Sequence, residues 1–451
     1  MASHNESPPT ELFDLAGNQH LTTDSANVES RETASLPPVD GGKEAWLFLA
    51  GSFCIETLLW GFPFSFGVLQ DFYSTHPPLS QDAKGISAIG TTCSGLLYLG
   101  APLVFVAFQR WPLLLRRGIA TGLLIVVLAV FLSSFATKVW QLILTQGILY
   151  AVGGNLVYYP IYVFIDEWFV RRKGLAFGVM WAGSGCGGLV GPLVLNWGLT
   201  KYGVVTFLRG WSVSLLLLIA PFLFFVKSRL PPSRSHRVPV RAIAAGFGFV
   251  KTRQFWIIEM CNIIQGLGYF IPQLYLPTYA RLNHLGSGSL LVSVLNIAQV
   301  PGVMFLSALT DRVSVYIIML ISSLGSTLAI FLLWGLASSS TGLLIAFSLC
   351  YGFFAGGFTA VYAGAAQELR RVTPGGDTGR ADLGSMLGLL GGGRGIGNVV
   401  CGPVSEALLQ HSRSWQSAAG YSGSFAPLII FAGTTAALTM SSWAAKVLKI
   451  L

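Results

Sequence analysis

Residues 168–195 read WFVRRKGLAFGVMWAGSGCGGLVGPLVL. Three consecutive cations, Arg171, Arg172 and Lys173, run straight into an apolar segment of membrane length. Cations packed against one end of such a segment hold that end on the cytoplasmic side. Gly178, Gly183, Gly187 and Gly191 recur at steps of four or five. They leave a stripe nearly free of side chains, along which a second helix can approach closely. The stretch predicts a membrane-crossing helix inside a larger bundle.

The rest of the chain agrees. Hydrophobic residues make up 53% of the sequence and charged residues 10%, and the mean hydropathy is +0.64. Soluble proteins average about 25% charged residues, so the surface this chain lacks must be covered by lipid. The net charge of +9 is carried in short clusters between apolar runs, as the positive-inside rule produces, and this argues against nucleic acid as a partner. Six cysteines fall within apolar runs without a CxxC pair, so they read as reduced and structural. The six histidines lie in tails or loops with no metal spacing, and neither metal nor cofactor is expected. Residues 1–40 are polar and rich in Ser, Thr and Asn, which reads as a disordered cytosolic tail with no cleavable signal.

A hydrocarbon core of about 30 Å needs roughly 20 apolar residues per helix. Twelve such runs are expected, at about 46–69, 86–108, 113–135, 139–165, 174–198, 206–226, 255–279, 287–310, 314–336, 341–365, 383–409 and 425–446. A polar, basic stretch at 227–253 divides them into an N-terminal six-helix bundle, 41–226, and a C-terminal one, 254–447. With the amino terminus inside, the cytosolic connections hold seventeen cations and the external ones six, so both termini are expected in the cytosol. The halves echo one another. Gly153-Gly154 precedes Tyr159 as Gly356-Gly357 precedes Tyr362, and Glu56 has a counterpart in Glu259.

Two six-helix repeats joined by a basic loop resemble the major facilitator superfamily, in which solute binds near the midplane between the halves. Within it the chain is similar to the monocarboxylate porter family in its fungal form. The similarity is carried by WF-x-RRK-G-LA-x-G with AG-x-G after it, by Asp40-Gly41-Gly42 ahead of Trp46, and by Trp60-Gly61-Phe62-Pro63. The runs QGILYAVGGNLVYYP at 146–160 and RGIGNVVCGP at 394–403 extend it. The resemblance implies an all-α polytopic protein that moves a solute by alternating access. Members that carry small acids have a Lys where Phe64 stands, and an Asp and an Arg where Asn296 and Val300 stand. Their absence turns the expectation from a short monocarboxylate toward a larger, partly apolar organic anion or neutral metabolite. Asp311-Arg312 resembles the superfamily's Asp-Arg loop motif, which couples neighbouring helix ends, whereas the first-half counterpart reads Gln109-Arg110.

Charges within a bilayer cost about 3 kcal/mol on insertion scales, so each one carries a functional hypothesis. Arg394, midway along its span in GGGRGIGN, could meet an anionic solute or a structural partner, with Asn398 on the same face. Glu56, Trp60 and Phe64 share one face at steps of four. That face could line a cavity with a titratable acid for proton coupling, or Glu56 could bond between helices. Glu259, Asn262, Gln265, Tyr269 and Gln273 form a polar stripe that must face the cavity or a neighbouring helix. Tyr158 and Tyr162 share a face, with Asp166 one turn further on. Asp166, Arg171, Arg172, Asp311 and Arg312 are the expected cytosolic gating residues.

Other motifs carry less. The run at 183–188 fits G-x-G-x-x-G but follows no strand, and no GxxxxGK[ST] occurs, which argues against nucleotide binding and ATP-driven pumping. No acid, base and nucleophile set converges, so an enzyme is not expected. The sequence reading is a monomeric secondary transporter of the plasma membrane that exports a secondary metabolite, with protons as the expected coupling ion. Uptake of a monocarboxylate or vitamin-like nutrient is the second reading, and a solute sensor that moves nothing is the third.

Overall fold

Each apolar run is helical in the computed structural model, because backbone groups facing lipid must bond within their own segment. The structure describes residues 37–82, 84–111, 114–230, 247–310, 312–337, 340–373, 383–411 and 424–448. In chain order the helices are α1 (Lys43–Thr75), α2 (Ile86–Phe108), α3 (Leu115–Ser133) and α4 (Val139–Trp168). The helix Lys173–Ile219 contains two spans, because Gly203 at φ 74° turns the chain between α5 (173–202) and α6 (204–219). Then follow α7 (Arg253–Tyr269 and Ile271–Leu282), α8 (Gly288–Thr310), α9 (Val315–Trp334), α10 (Thr341–Val372), α11 (Leu383–His411) and α12 (Ala426–Val447).

Nine helices among the described residues are long and apolar enough to cross a membrane, the α5–α6 helix being one of them. The two outside that set are α7 and α11. Their polar side chains, Glu259 to Gln273 on one and Arg394 and Asn398 on the other, lower their hydropathy. All twelve expected runs are therefore helical. Boundaries differ where helix ends turn polar: α10 continues to Val372 through Gln367–Arg371, beyond the expected 365. Helix α1 starts at Lys43 and runs to Thr75, with a break at Ser65 after Pro63. Helix α7 breaks at the corresponding place, Phe270.

Small residues set the packing. A methyl group at Gly183, Gly187 or Gly191 would strike the backbone or Ser65 of α1, so α5 lies backbone to backbone on that helix. Gly178 does not share this role; it faces open space. The two halves meet through α2 on α11, where Gly95 abuts Gly395, and through α5 on α8, where Gly185 and Gly188 receive Val300 and Asn296.

The end of the bundle that carries residues 37–44 and 441–448 is here the near end, and the opposite one the far end. Residues 1–36 lie outside the described residues, but the last part of the expected tail is anchored. The Asp40 carboxylate accepts backbone N–H bonds from Val170, Arg171 and Arg172 at 2.9–3.0 Å, which fixes the α4–α5 turn. Glu167 accepts likewise from Ser228 and from the backbone of Arg229 and Leu230, while Arg229 Nε donates to the Pro37 carbonyl. Lys227 pairs with Glu44 at 3.3 Å. Three chain segments are thus tied together below α1.

The far end is sealed between the halves. Phe64 packs on Phe270 with ring centroids 5.9 Å apart, and Gly67 sits against the Gln273 carbonyl. Asp71 accepts from Thr278 Oγ1 at 2.9 Å and from Arg281 Nε at 3.0 Å. Glu406 accepts the Gly85 N–H at 2.8 Å.

Candidate functional site

A cavity of about 70 Å³ lies between the halves, on the near side of this seal. Its N-terminal wall is aromatic: Trp60, Phe64, Tyr98, Phe105, Tyr158, Tyr159, Tyr162 and Trp181 line it together with Glu56. Its C-terminal wall is largely aliphatic, with Val300, Val303, Met304 and Leu387, and adds Gln299, Thr359 and Tyr362. The walls are built by helix period. Glu56, Trp60 and Phe64 project from one face of α1, and Tyr158 and Tyr162 from one face of α4. Trp60 is held by Tyr98 at 4.8 Å and Tyr158 at 5.5 Å between ring centroids.

Pockets for drug-sized molecules run to about 300–1,000 Å³, so this conformation is nearly occluded. Two of the groups lining it have unmet hydrogen-bonding capacity. Trp60 Nε1 and Glu56 Oε2 are buried without a hydrogen-bond partner among the described residues. One offers a donor and the other an acceptor, so a solute bearing complementary polar groups on an apolar body would be held on this wall.

Five of the expected residues, Glu56, Trp60, Phe64, Tyr158 and Tyr162, therefore converge on the cavity. The others do not. Arg394 is fully buried but absent from the cavity lining, since its side chain passes behind Tyr98. Its guanidinium lies 4.1 Å from the Tyr269 ring centroid and 5.5 Å from that of Tyr98, and its three nitrogens lack a hydrogen-bond partner among the described residues. Ring faces satisfy a cation in part. Asn398, 0% exposed, is buried with both amide atoms unpaired among the described residues.

The polar stripe of α7 faces neighbouring helices instead of the cavity. Asn262 donates to the Leu390 carbonyl of α11 and accepts from Tyr362 at 3.1 Å. Glu259 abuts Gly393, Tyr269 donates to Gln299 at 3.2 Å, and Gln273 donates to Asn296 at 2.9 Å. Asn296 itself bonds the Gly188 carbonyl of α5 at 3.1 Å, so it joins the halves and does not line the cavity. The reason is common to all: α11 is glycine-rich and approaches α7 so closely that its backbone carbonyls take up the stripe.

Among the gating residues, Arg171 and Arg172 are exposed, and the Asp40 carboxylate holds their backbone rather than their side chains. Those amides and that of Val170 hold the Asp40 carboxyl below the usual carboxylate range. Asp166 is half-buried at the near end of α4. Arg312 lines a polar near-end cleft of about 390 Å³ with Glu368, Arg371 and Lys446, while Asp311 lies outside the described residues.

The sequence reading missed Tyr98, Phe105, Trp181 and Gln299. Trp181 had a visible signal: Phe177, Trp181 and Gly185 recur at steps of four in the same stretch that carries the cations.

The Major Facilitator Superfamily profile matches residues 46–373. The chain is 30% identical over 300 residues to the MFS-type transporter pytF of Aspergillus terreus, a span covering 63% of this chain and 95% of the relative. It is 27% identical to the aspyridones efflux protein apdF of Emericella nidulans, over 72% of this chain and 65% of the relative. To the fujikurins efflux protein of Gibberella fujikuroi it is 24% identical, over 93% and 90%. Among solved structures it is similar to the nucleoside transporter NupG, with a TM-score of 0.65 and 14% identity, over 89% of this chain and 99% of that one. At that identity the likeness establishes the fold alone. On its helices, its paired bundles and this profile, the chain belongs to the major facilitator superfamily of membrane transporters.

Proposed function

We propose that the chain exports a mid-sized, largely apolar metabolite with polar groups, taking it up at the near end and releasing it at the far end. The observation that carries this reading is the pairing of a sealed far end with an aromatic cavity on the near side, where Trp60 Nε1 and Glu56 Oε2 await partners. The seventeen near-end cations of the twelve-span reading support a cytosolic near end with both termini inside. Two relatives bear the names of efflux proteins, for aspyridones and fujikurins, which supports a secondary metabolite as the cargo and the plasma membrane as the location. No cation lines the cavity among the described residues, so the solute is recognised first by ring stacking and hydrogen bonds. Arg394 becomes a contact for an acidic solute only once α11 shifts.

We assign Glu56 as the proton-coupling acid, because it is the carboxylate on the cavity wall. The chain is placed in the fungal branch of the monocarboxylate porters on its α5 signature, with residues 41–226 and 254–447 as the moving halves of a monomer.

The test is uptake into inside-out vesicles with an acidic lumen, fed an extract of fungal culture medium and read by mass spectrometry. The reading expects compounds that accumulate only with the protein present, and less of them with Trp60→Ala. Glu56→Gln should abolish the dependence on the proton gradient while leaving solute exchange. Accumulation only in right-side-out vesicles would reverse the direction assigned here.

A further inference from the structure

The aromatic wall contains a continuous hydrogen-bonded chain. Trp181 Nε1 donates to the Tyr162 hydroxyl at 2.8 Å. The Tyr162 and Tyr158 hydroxyls bond each other, and the Tyr158 hydroxyl bonds the Glu56 carboxylate. Donor counting gives the chain a direction. An indole N–H only donates, an ionised carboxylate only accepts, and each phenol has one proton to give. With Glu56 ionised, Trp181 gives to Tyr162, Tyr162 to Tyr158 and Tyr158 to Glu56, and every proton is placed.

Burial deepens along the same path. Tyr162 is half-buried, Tyr158 is 5% exposed and Glu56 is 2% exposed. Tyr162 lies one turn from Asp166 at the near end, so the chain leads from near-end solvent to the cavity's carboxylate. The other titratable groups facing Glu56 are Tyr98 of α2 and Tyr159 of α4, whereas α5 presents only Gly183 and Ser184. Arg394 of α11 stands behind Tyr98.

We propose that Tyr158 and Tyr162 are a proton relay between Glu56 and near-end water, an inference that rests on Glu56 as the coupling acid. In discharge, protonated Glu56 gives its proton to the Tyr158 oxygen, Tyr158 passes its own proton to Tyr162, and Tyr162 passes its own to water. Three O–H bonds break and three form, no electrons are transferred, and one proton leaves as hydronium. Each hydroxyl then points back toward the carboxylate, and this is the alignment that stabilises the ionised acid. Trp181 holds Tyr162 in place but carries no proton, because its N–H does not exchange roles.

The test is a pH jump on the full chain in lipid nanodiscs, followed by time-resolved infrared absorption of protonated carboxyl groups. Glu56→Gln identifies the Glu56 band by its loss. The relay predicts that Tyr158→Phe and Tyr162→Phe, which keep the rings, each slow the appearance of that band about tenfold or more, a barrier increase of about 1.4 kcal/mol. Trp181→Phe should change the rate far less, a contrast that loss of packing alone would not give. Unchanged rates in both tyrosine variants, with the Glu56 band present, overturn the relay and leave the acid standing. A carboxyl signal untouched by Glu56→Gln removes the acid, and the relay with it.

Discussion

Removing Asp71 and Glu406 should open the far end. These two carboxylates are the charged links across the seal, and both lie far from the cavity. Glu406 receives one backbone N–H on its two oxygens at 2.8 Å, and a bond of this charge-assisted kind contributes about 1.5–3 kcal/mol. The Asp71–Arg281 pair is weaker. Arg281 is 44% exposed, and solvent-screened pairs contribute about 0.2–1 kcal/mol. The neutral Thr278 hydroxyl adds a bond of about 1 kcal/mol. Allowing for the partial exposure of all these groups and for water taking their place, the double variant Asp71→Ala, Glu406→Ala should cost the sealed state about 2 kcal/mol. At about 1.36 kcal/mol per decade, the open-to-sealed ratio rises about thirtyfold. The assay is pulsed electron resonance between nitroxides at positions 76 and 284, which lie on α1 and α7 across the seal, in a chain whose six native cysteines are replaced. A longer-distance population should grow by that factor. A distance distribution unchanged by the double variant would show that the seal rests on Phe64, Phe270 and Gly67 alone, and the electrostatic reasoning would fail.

Further perturbations separate the remaining roles. Arg394→Ala removes a buried cation held between Tyr269 and Tyr98; it should abolish transport while surface expression persists, and normal flux would exclude Arg394 from the cycle. Gly187→Leu should drive a side chain into the Thr57 carbonyl and destabilise the bundle by about 1–3 kcal/mol or more, read as a fall in melting temperature in detergent; an unchanged melting temperature would refute the backbone contact of α1 and α5. The Asp40 clamp has a defined pH window. Its carboxyl is held below the usual range, so its contribution is complete above the unfolded value of about 3.8 and fades as pH falls through the lower folded value. Hydrogen exchange at the Val170, Arg171 and Arg172 amides should show that protection persists to mildly acidic pH and disappears in Asp40→Ala.

The spans were legible because lipid leaves the backbone no alternative, and the apolar runs translate directly into helices. The cavity face of α1 was legible for a related reason: Glu56, Trp60 and Phe64 recur at the helix period, and any bundle must turn such a polar face inward. The orientation of α7 and α11 was not legible. A stripe such as Glu259 to Gln273 states that partners exist but not which ones. Here the glycines of α11 bring its carbonyls within reach of Asn262, so the stripe is consumed between helices and Arg394 is turned away from the cavity. Long-range pairs were equally hidden. Asp40 on the α4–α5 turn and Trp181 on Tyr162 join residues whose spacing in the chain carries no periodic signal. The Asp40-Gly41-Gly42 motif and the 171–173 cations were both noticed as separate signatures, and the structure makes them the two sides of one contact.

The account depends most on solute leaving the cell through the aromatic cavity. The most direct measurement compares metabolites in cells and in medium for a producing strain carrying the intact gene, a deletion, and Trp60→Ala. Export predicts at least one compound that falls in the medium and rises in the cells on deletion, with Trp60→Ala resembling the deletion. Identical partition of every compound in all three strains, or depletion from the cells on deletion, would contradict it.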